Sequence, residues 1–142
     1  MKRVVLTGFG AVTPLGIGKD EFWNALLEGK SGVGYITRFD ASEHDTKIAA
    51  EVKGFDPTVF MEKKEAKRMD MFAQYAVAGT KMALDDAGID LSTINTDRAG
   101  AIIGSGIGGI TTLEAEKEKL DEKGPGRISP LFIPMMIANM AA

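Results

Sequence analysis

The chain has 142 residues, of which 44% are hydrophobic and 26% charged, with a net charge of −3 and no cysteine. That is the size and composition of one ordinary globular domain. The absence of cysteine excludes a disulfide framework, a thiolate metal site and a cysteine nucleophile within the chain. The acidic balance, with no long basic run, gives no reason to expect nucleic acid as a partner. No segment approaches the 18 apolar residues of a membrane span, so no membrane insertion is expected. The opening MKRVVLTGFG is too short an apolar stretch for a signal peptide, and the composition is compatible with a cytoplasmic protein.

Taken in order, the β-branched run RVVLT predicts a first strand over residues 3–7. Residues 8–18 hold four glycines and Pro14 and read as a long turn. The turn has the letters of a short-chain dehydrogenase motif, but seven residues separate Thr7-Gly8 from Gly16-Ile17-Gly18 where that motif has three. A helix over 19–28 follows. Asp20 and Glu21 favour its N-terminal dipole, Phe22, Trp23, Leu26 and Leu27 form its apolar stripe, and Gly29 stops it. Residues 30–60 read as an excursion of short strands or ordered loop with spaced apolar anchors. The single histidine, His44, lies there in a polar stretch and reads as a solvated loop residue, so no metal site is assigned.

Residues 63–87 predict one long helix, ended by Gly88, with Met69, Phe72, Ala73, Ala76, Met82 and Ala83 near one stripe. Ala73, Ala76, Ala78 and Gly79 would let it pack closely on a neighbour. Its N-terminal end carries Lys63, Lys64, Lys67 and Arg68, cations placed where a helix dipole disfavours them. That misfit points to a docking site for an acidic partner rather than an idle solvated face.

The centre of the chain is RAGAIIGSGIGG, ending at Gly109. Residues 101–104 read as the end of a buried strand, the glycines as a tight turn, and 110–123 as a helix rich in Glu and Lys. Gly104, Gly106 and Gly109 satisfy the G-x-G-x-x-G spacing of a dinucleotide site. An acidic residue on a second strand about 20 residues later should follow, and none does. The glycines are better explained by close packing, and no cofactor is assigned. The order of elements gives an α/β fold with a largely parallel sheet. After Gly124-Pro125-Gly126, the segment from Pro134 to Ala142 is almost wholly apolar and reads as the start of a buried helix with no polar end. Such a helix needs covering on every side, so residues 1–142 are expected to be part of a larger domain.

VVLTGFGAVTPLG, KRMDMFAQYA, GSGIGG and SPLFIPMMIANMAA, in this order over the whole chain, together resemble the N-terminal third of a β-ketoacyl-acyl-carrier-protein synthase of the chain-elongating type II kind. The resemblance implies a thiolase-like αβαβα layered fold working as a homodimer. It also implies a decarboxylating Claisen condensation between an acyl thioester and malonyl-acyl carrier protein. The nucleophilic cysteine and two histidines of that chemistry are not in this chain, so the chain alone is expected to be inactive and no catalytic residue is assigned. Ile107, flanked by Gly106 and Gly108, matches the family position facing the fatty-acyl tunnel, and Phe132 matches the residue that lines the neighbouring subunit's tunnel. Lys63, Lys64, Lys67 and Arg68, with Arg127, fall on stretches that meet acyl carrier protein; Gly126 stands where a second basic residue is common. A non-condensing partner subunit of the chain-length-factor kind is the alternative, and a Rossmann-type module the third.

Overall fold

The computed structural model describes residues 3–142, whose helices follow the sequence pattern more closely than its strands do. Helix α1 spans Lys19–Leu27 with Asp20 and Glu21 in its first turn. The Glu21 carboxylate turns back to accept the Ile17 N–H at 3.0 Å, closing the entry to the helix. The Lys19 ammonium pairs with Asp86 on the long helix α3, Met71–Ala87. Asp86 also accepts the Phe9 N–H at 3.0 Å. Hydrogen bonding from Lys19, then from Phe9, holds the Asp86 carboxyl below the usual carboxylate range. One carboxylate thus ties the first segment and α1 to α3.

The helix expected over 63–87 is two helices. The short α2 spans Lys63–Ala66, and α3 begins only at Met71. The break has a local cause. Asp70 takes extended backbone angles and caps α3, accepting the Phe72 N–H. The Gln74 amide donates to the carbonyls of Ala66, at 2.9 Å, and Met69, at 3.1 Å. These bonds engage carbonyls at and just beyond the end of α2. Gly88 closes α3 in the left-handed conformation, at φ 62°. Helix α4 covers Ile110–Lys123, the span the sequence predicts.

The strands depart from expectation. Among the described residues they form two small antiparallel pairs and no parallel sheet. Strands β1 (Val12–Thr13) and β2 (Gly16–Ile17) make a tight hairpin, which the Thr13 hydroxyl closes by donating to the Gly16 carbonyl at 3.0 Å. Strands β3 (Val33–Tyr35) and β4 (Ile48–Ala50) pair within the excursion, registered Val33 to Ala50 and Tyr35 to Ile48. Phe55 stacks on Phe60 and meets Tyr75 edge-on at 4.8 Å, anchoring that excursion to α3. Residues 3–7 and 101–104, both expected as strands, carry no ladder partner among the described residues. Most of their side chains are bare: Val4 is 94% exposed, Leu6 85% and Ile102 99%, with Ile103 half-buried. The segment around residue 10 nevertheless docks on α3, backbone to backbone. A Cβ on Gly10 would collide with the Gly79 carbonyl, so the small residues of α3 serve the close approach that the sequence suggested.

The apolar ending is also corrected. Helix α5 covers only Phe132–Met136, with Pro134 inside its first turn; the chain becomes extended at Ile137 and finishes in a 3-10 turn, Ala138–Ala141. These residues are partly exposed rather than buried, Ile133 and Met140 by about half. Buried apolar side chains across the molecule are mostly alanines, joined by Met61. The accessible surface of 10666 Å² far exceeds the roughly 7,100 Å² that a compact monomer of this mass exposes.

Candidate functional site

The glycine turn and the SPLFIP motif, 20 residues apart, meet at the start of α4. Within the turn the Ser105 hydroxyl accepts the Gly108 N–H at 2.9 Å. Gly108 sits at φ +81°, and a Cβ there would collide with the Met136 carbonyl. Glycine is therefore required both by the angle and by the space. The next residue donates its N–H to that same carbonyl, Gly109 to Met136 at 2.8 Å. This contact takes up a carbonyl at the end of α5 and gives a physical reason for the helix to stop there.

The other end of the motif hangs on Glu116, a carboxylate buried in α4. It accepts the Ser129 N–H at 2.8 Å and pairs with Lys119. The Lys119 hydrogen bond, then that of Ser129, lowers its pKa from the ordinary glutamate value. Phe132, at the start of α5, is half-buried. Ile107 projects outward from the turn at 69% exposure, and Gly106 beside it faces open space. The described residues thus present Ile107 without enclosing it.

The same geometry argues against a phosphate cradle at the glycines. Such a site needs free N–H groups at the helix N-terminus. Here Gly109 donates to Met136, and Thr112 donates to the carboxylate of Asp70 at 2.9 Å. A negative charge already occupies the position. Beyond α4 the chain enters a 3-10 turn, Pro125–Arg127, and among the described residues no second strand follows.

Four of the five basic residues lie together. Lys63 and Lys64 open α2, Lys67 ends it and Arg68 follows. All four are exposed, while Met61 and Ala66 anchor the helix beneath them. Arg127 is exposed on the separate turn after α4. Among the described residues none of the five makes an ion pair. Arg68 and Asp70 line a cleft of about 200 Å³ whose opposite wall is Pro134 and Met140. The basic segment and the C-terminal motif are thus neighbours. His44 stays in its polar loop, edge-on to Phe39 at 5.4 Å. No helix is long and apolar enough to cross a membrane among the described residues.

Asp70 and Glu116 carry the junction, and neither is among the expected site residues. Asp70 had a signal, an aspartate immediately before an apolar helical run. Glu116 had none, being one acid among several in a charged helix.

This arrangement of helices and glycine turn has counterparts among solved ketosynthases. A β-ketoacyl synthase from Burkholderia phymatum superposes with a TM-score of 0.80 at 29% identity, over 100% of this chain and 35% of that one. The ishigamide ketosynthase/chain length factor superposes at 0.78 and 30% identity, over 97% and 34%. The fold is therefore the thiolase-like α/β fold of those ketosynthases, represented by its N-terminal part. Residues 1–142 match the family described as Beta-ketoacyl synthase, N-terminal domain, and the chain belongs to that family. It is 50% identical over 141 residues to 3-oxoacyl-[acyl-carrier-protein] synthase 2 of Synechocystis sp., matching 99% of this chain and 34% of the relative. The chain spans about a third of the length of that curated relative.

Proposed function

We propose that this chain is the N-terminal segment of an elongating 3-oxoacyl-[acyl-carrier-protein] synthase. The observation that carries the reading is 50% identity sustained across the chain with a relative of that name. In this reading Ile107, between Gly106 and Gly108, forms part of the acyl-pocket wall, and Phe132 lines the pocket of the second subunit of a cytoplasmic homodimer. Lys63, Lys64, Lys67, Arg68 and Arg127 receive acyl carrier protein. Unpaired basic side chains suit an acidic partner steered by charge.

The condensation divides between this segment and residues outside it. An acyl chain is transferred to a cysteine thiolate as a thioester, releasing the carrier thiol. Malonyl-carrier protein then loses carbon dioxide, its carbanion attacks the thioester carbonyl, and the cysteine leaves. With no cysteine and only His44, residues 1–142 supply pocket, docking and dimer surface rather than nucleophile. The chain by itself is inactive in this account. The bare apolar side chains at residues 4–6 and 102 support a segment that packs against further parts of a larger domain.

A second reading is a non-condensing partner subunit, favoured by the 30% identity to a ketosynthase/chain length factor structure. One chimera tests whether this segment can serve a condensing enzyme, the nucleophile then coming from the relative. Residues 1–142 replace the matching third of the Synechocystis relative, and 3-oxoacyl products from malonyl- and acyl-carrier protein are followed by mass spectrometry. Elongation is expected. A folded chimera that forms no product would contradict the proposal and favour the partner subunit.

A further inference from the structure

Two helix starts share one carboxylate. Helix α4 begins after Gly109, which has no side chain to cap it. The missing cap arrives from 42 residues upstream. One Asp70 oxygen, Oδ2, accepts both the Thr112 N–H at 2.9 Å and the Thr112 hydroxyl at 2.6 Å. The other, Oδ1, accepts the Phe72 N–H at 3.4 Å where α3 begins. Asp70 is 7% exposed, and an ionised acceptor in such a setting makes stronger hydrogen bonds than a neutral one.

The glycine turn is consequently held from two sides. On one side the Met136 carbonyl takes the Gly109 N–H. On the other Asp70 grips the first turn of α4, and a Cβ on Gly109 would lie 3.0 Å from its Oδ2. Ile107 is two residues before Gly109 and has no anchor of its own, being largely exposed. Besides the Ser105 hydrogen bond to Gly108 within the turn, its position depends on those two grips.

We propose that Asp70, acting through Thr112, is a positioning residue for Ile107 and thereby sets the longest acyl chain accepted. The proposal rests on the reading of Ile107 as pocket wall. The Thr112 hydroxyl is the part of the grip that can be removed alone, because its backbone N–H keeps the second bond. In the chimera, Thr112→Val deletes that hydroxyl at nearly constant volume, and Thr112→Ser retains it.

The readout is kcat/KM for a series of acyl primers, beside KM for the carrier protein. Thr112→Val is expected to reduce discrimination against primers beyond the preferred length about fivefold, equivalent to roughly 1 kcal/mol. KM for carrier protein stays unchanged, and Thr112→Ser restores the parent profile. If the valine variant does not fold, Thr112→Ala removes the same hydroxyl and is read in the same way. An unchanged profile in the hydroxyl-less variant, or equal shifts in it and in Thr112→Ser, would overturn the proposal. Ile107→Phe run alongside locates any failure. A profile that responds to Ile107→Phe but not to loss of the hydroxyl defeats the positioning role, whereas a profile indifferent to both defeats the pocket reading beneath it.

Discussion

The junction of α3, α4 and α5 and the pair of extended segments at 3–7 and 101–104 are built on opposite terms. At the junction, polar groups find partners and backbone lies against backbone: Asp70 serves two helices, Glu116 holds Ser129, and Gly109 meets Met136. In the extended segments, strand-forming residues stand in solvent, with Val4 and Ile102 almost wholly bare. Caps and backbone hydrogen bonds between segments distant in sequence hold the first region together. The second consists of β-branched sequence whose ladder partners are not among the described residues, and a strand without partners is only an extended chain. Proposed docking and pocket residues cluster on the self-sufficient side.

The contrast predicts a graded response to substitution. Of three substitutions, Gly109→Ala has the largest expected effect on stability, because the new methyl group would be driven into the Met135 carbonyl and against Asp70. A loss of about 2 kcal/mol is expected in urea melts of the 142-residue chain, the scale of overpacking in a tight site. A variant as stable as the parent would show that the turn is not pinned.

Glu116→Gln comes next and has a pH signature. The folded-state pKa of Glu116 is lowered by Lys119 and Ser129. Its stabilising effect is therefore full above the ordinary glutamate value, about 4.3, and is lost as pH falls through the lower folded-state value. The variant should melt below the parent at pH 7, with the gap narrowing as pH drops below about 4. A gap that is constant with pH would assign the loss to packing instead of charge.

The smallest effect is expected on the other side of the comparison. Ile102→Lys alters a side chain that is 99% exposed, so stability should stay within about 0.5 kcal/mol. Sedimentation of the same variant should show less self-association, since an exposed apolar patch is reduced. A large destabilisation would mean that residues 101–104 are covered.

The sequence was legible where structure is local. The 3.6-residue pattern, with Gly29 and Gly88 as stops, located α1 and the end of α3, and the bounds of α4 followed from its charged composition between two glycines. Of the glycines before it, Gly108 and Gly109 pack closely while Gly104 and Gly106 face open space, and the partner, the Met135–Met136 backbone, could not be named from spacing. The break before Met71 was written as Asp70 but was overridden by the apolar stripe running through it. The parallel sheet was inferred from the order of elements, and order cannot say whether a strand's partners are present. Glu116 was invisible because burial of one acid among several depends on where a distant loop returns.

The most direct measurement is the primer-length profile of the chimera carrying Ile107→Phe, beside its parent. Ile107 is both exposed and presented by the turn, so a bulkier side chain there should intrude on the acyl pocket without disturbing the junction. Elongation of the longest primers is expected to fall at least tenfold, the equivalent of about 1.4 kcal/mol, with short primers nearly unaffected. An unchanged profile, or an equal fall for all lengths, would contradict the assignment of this turn as pocket wall.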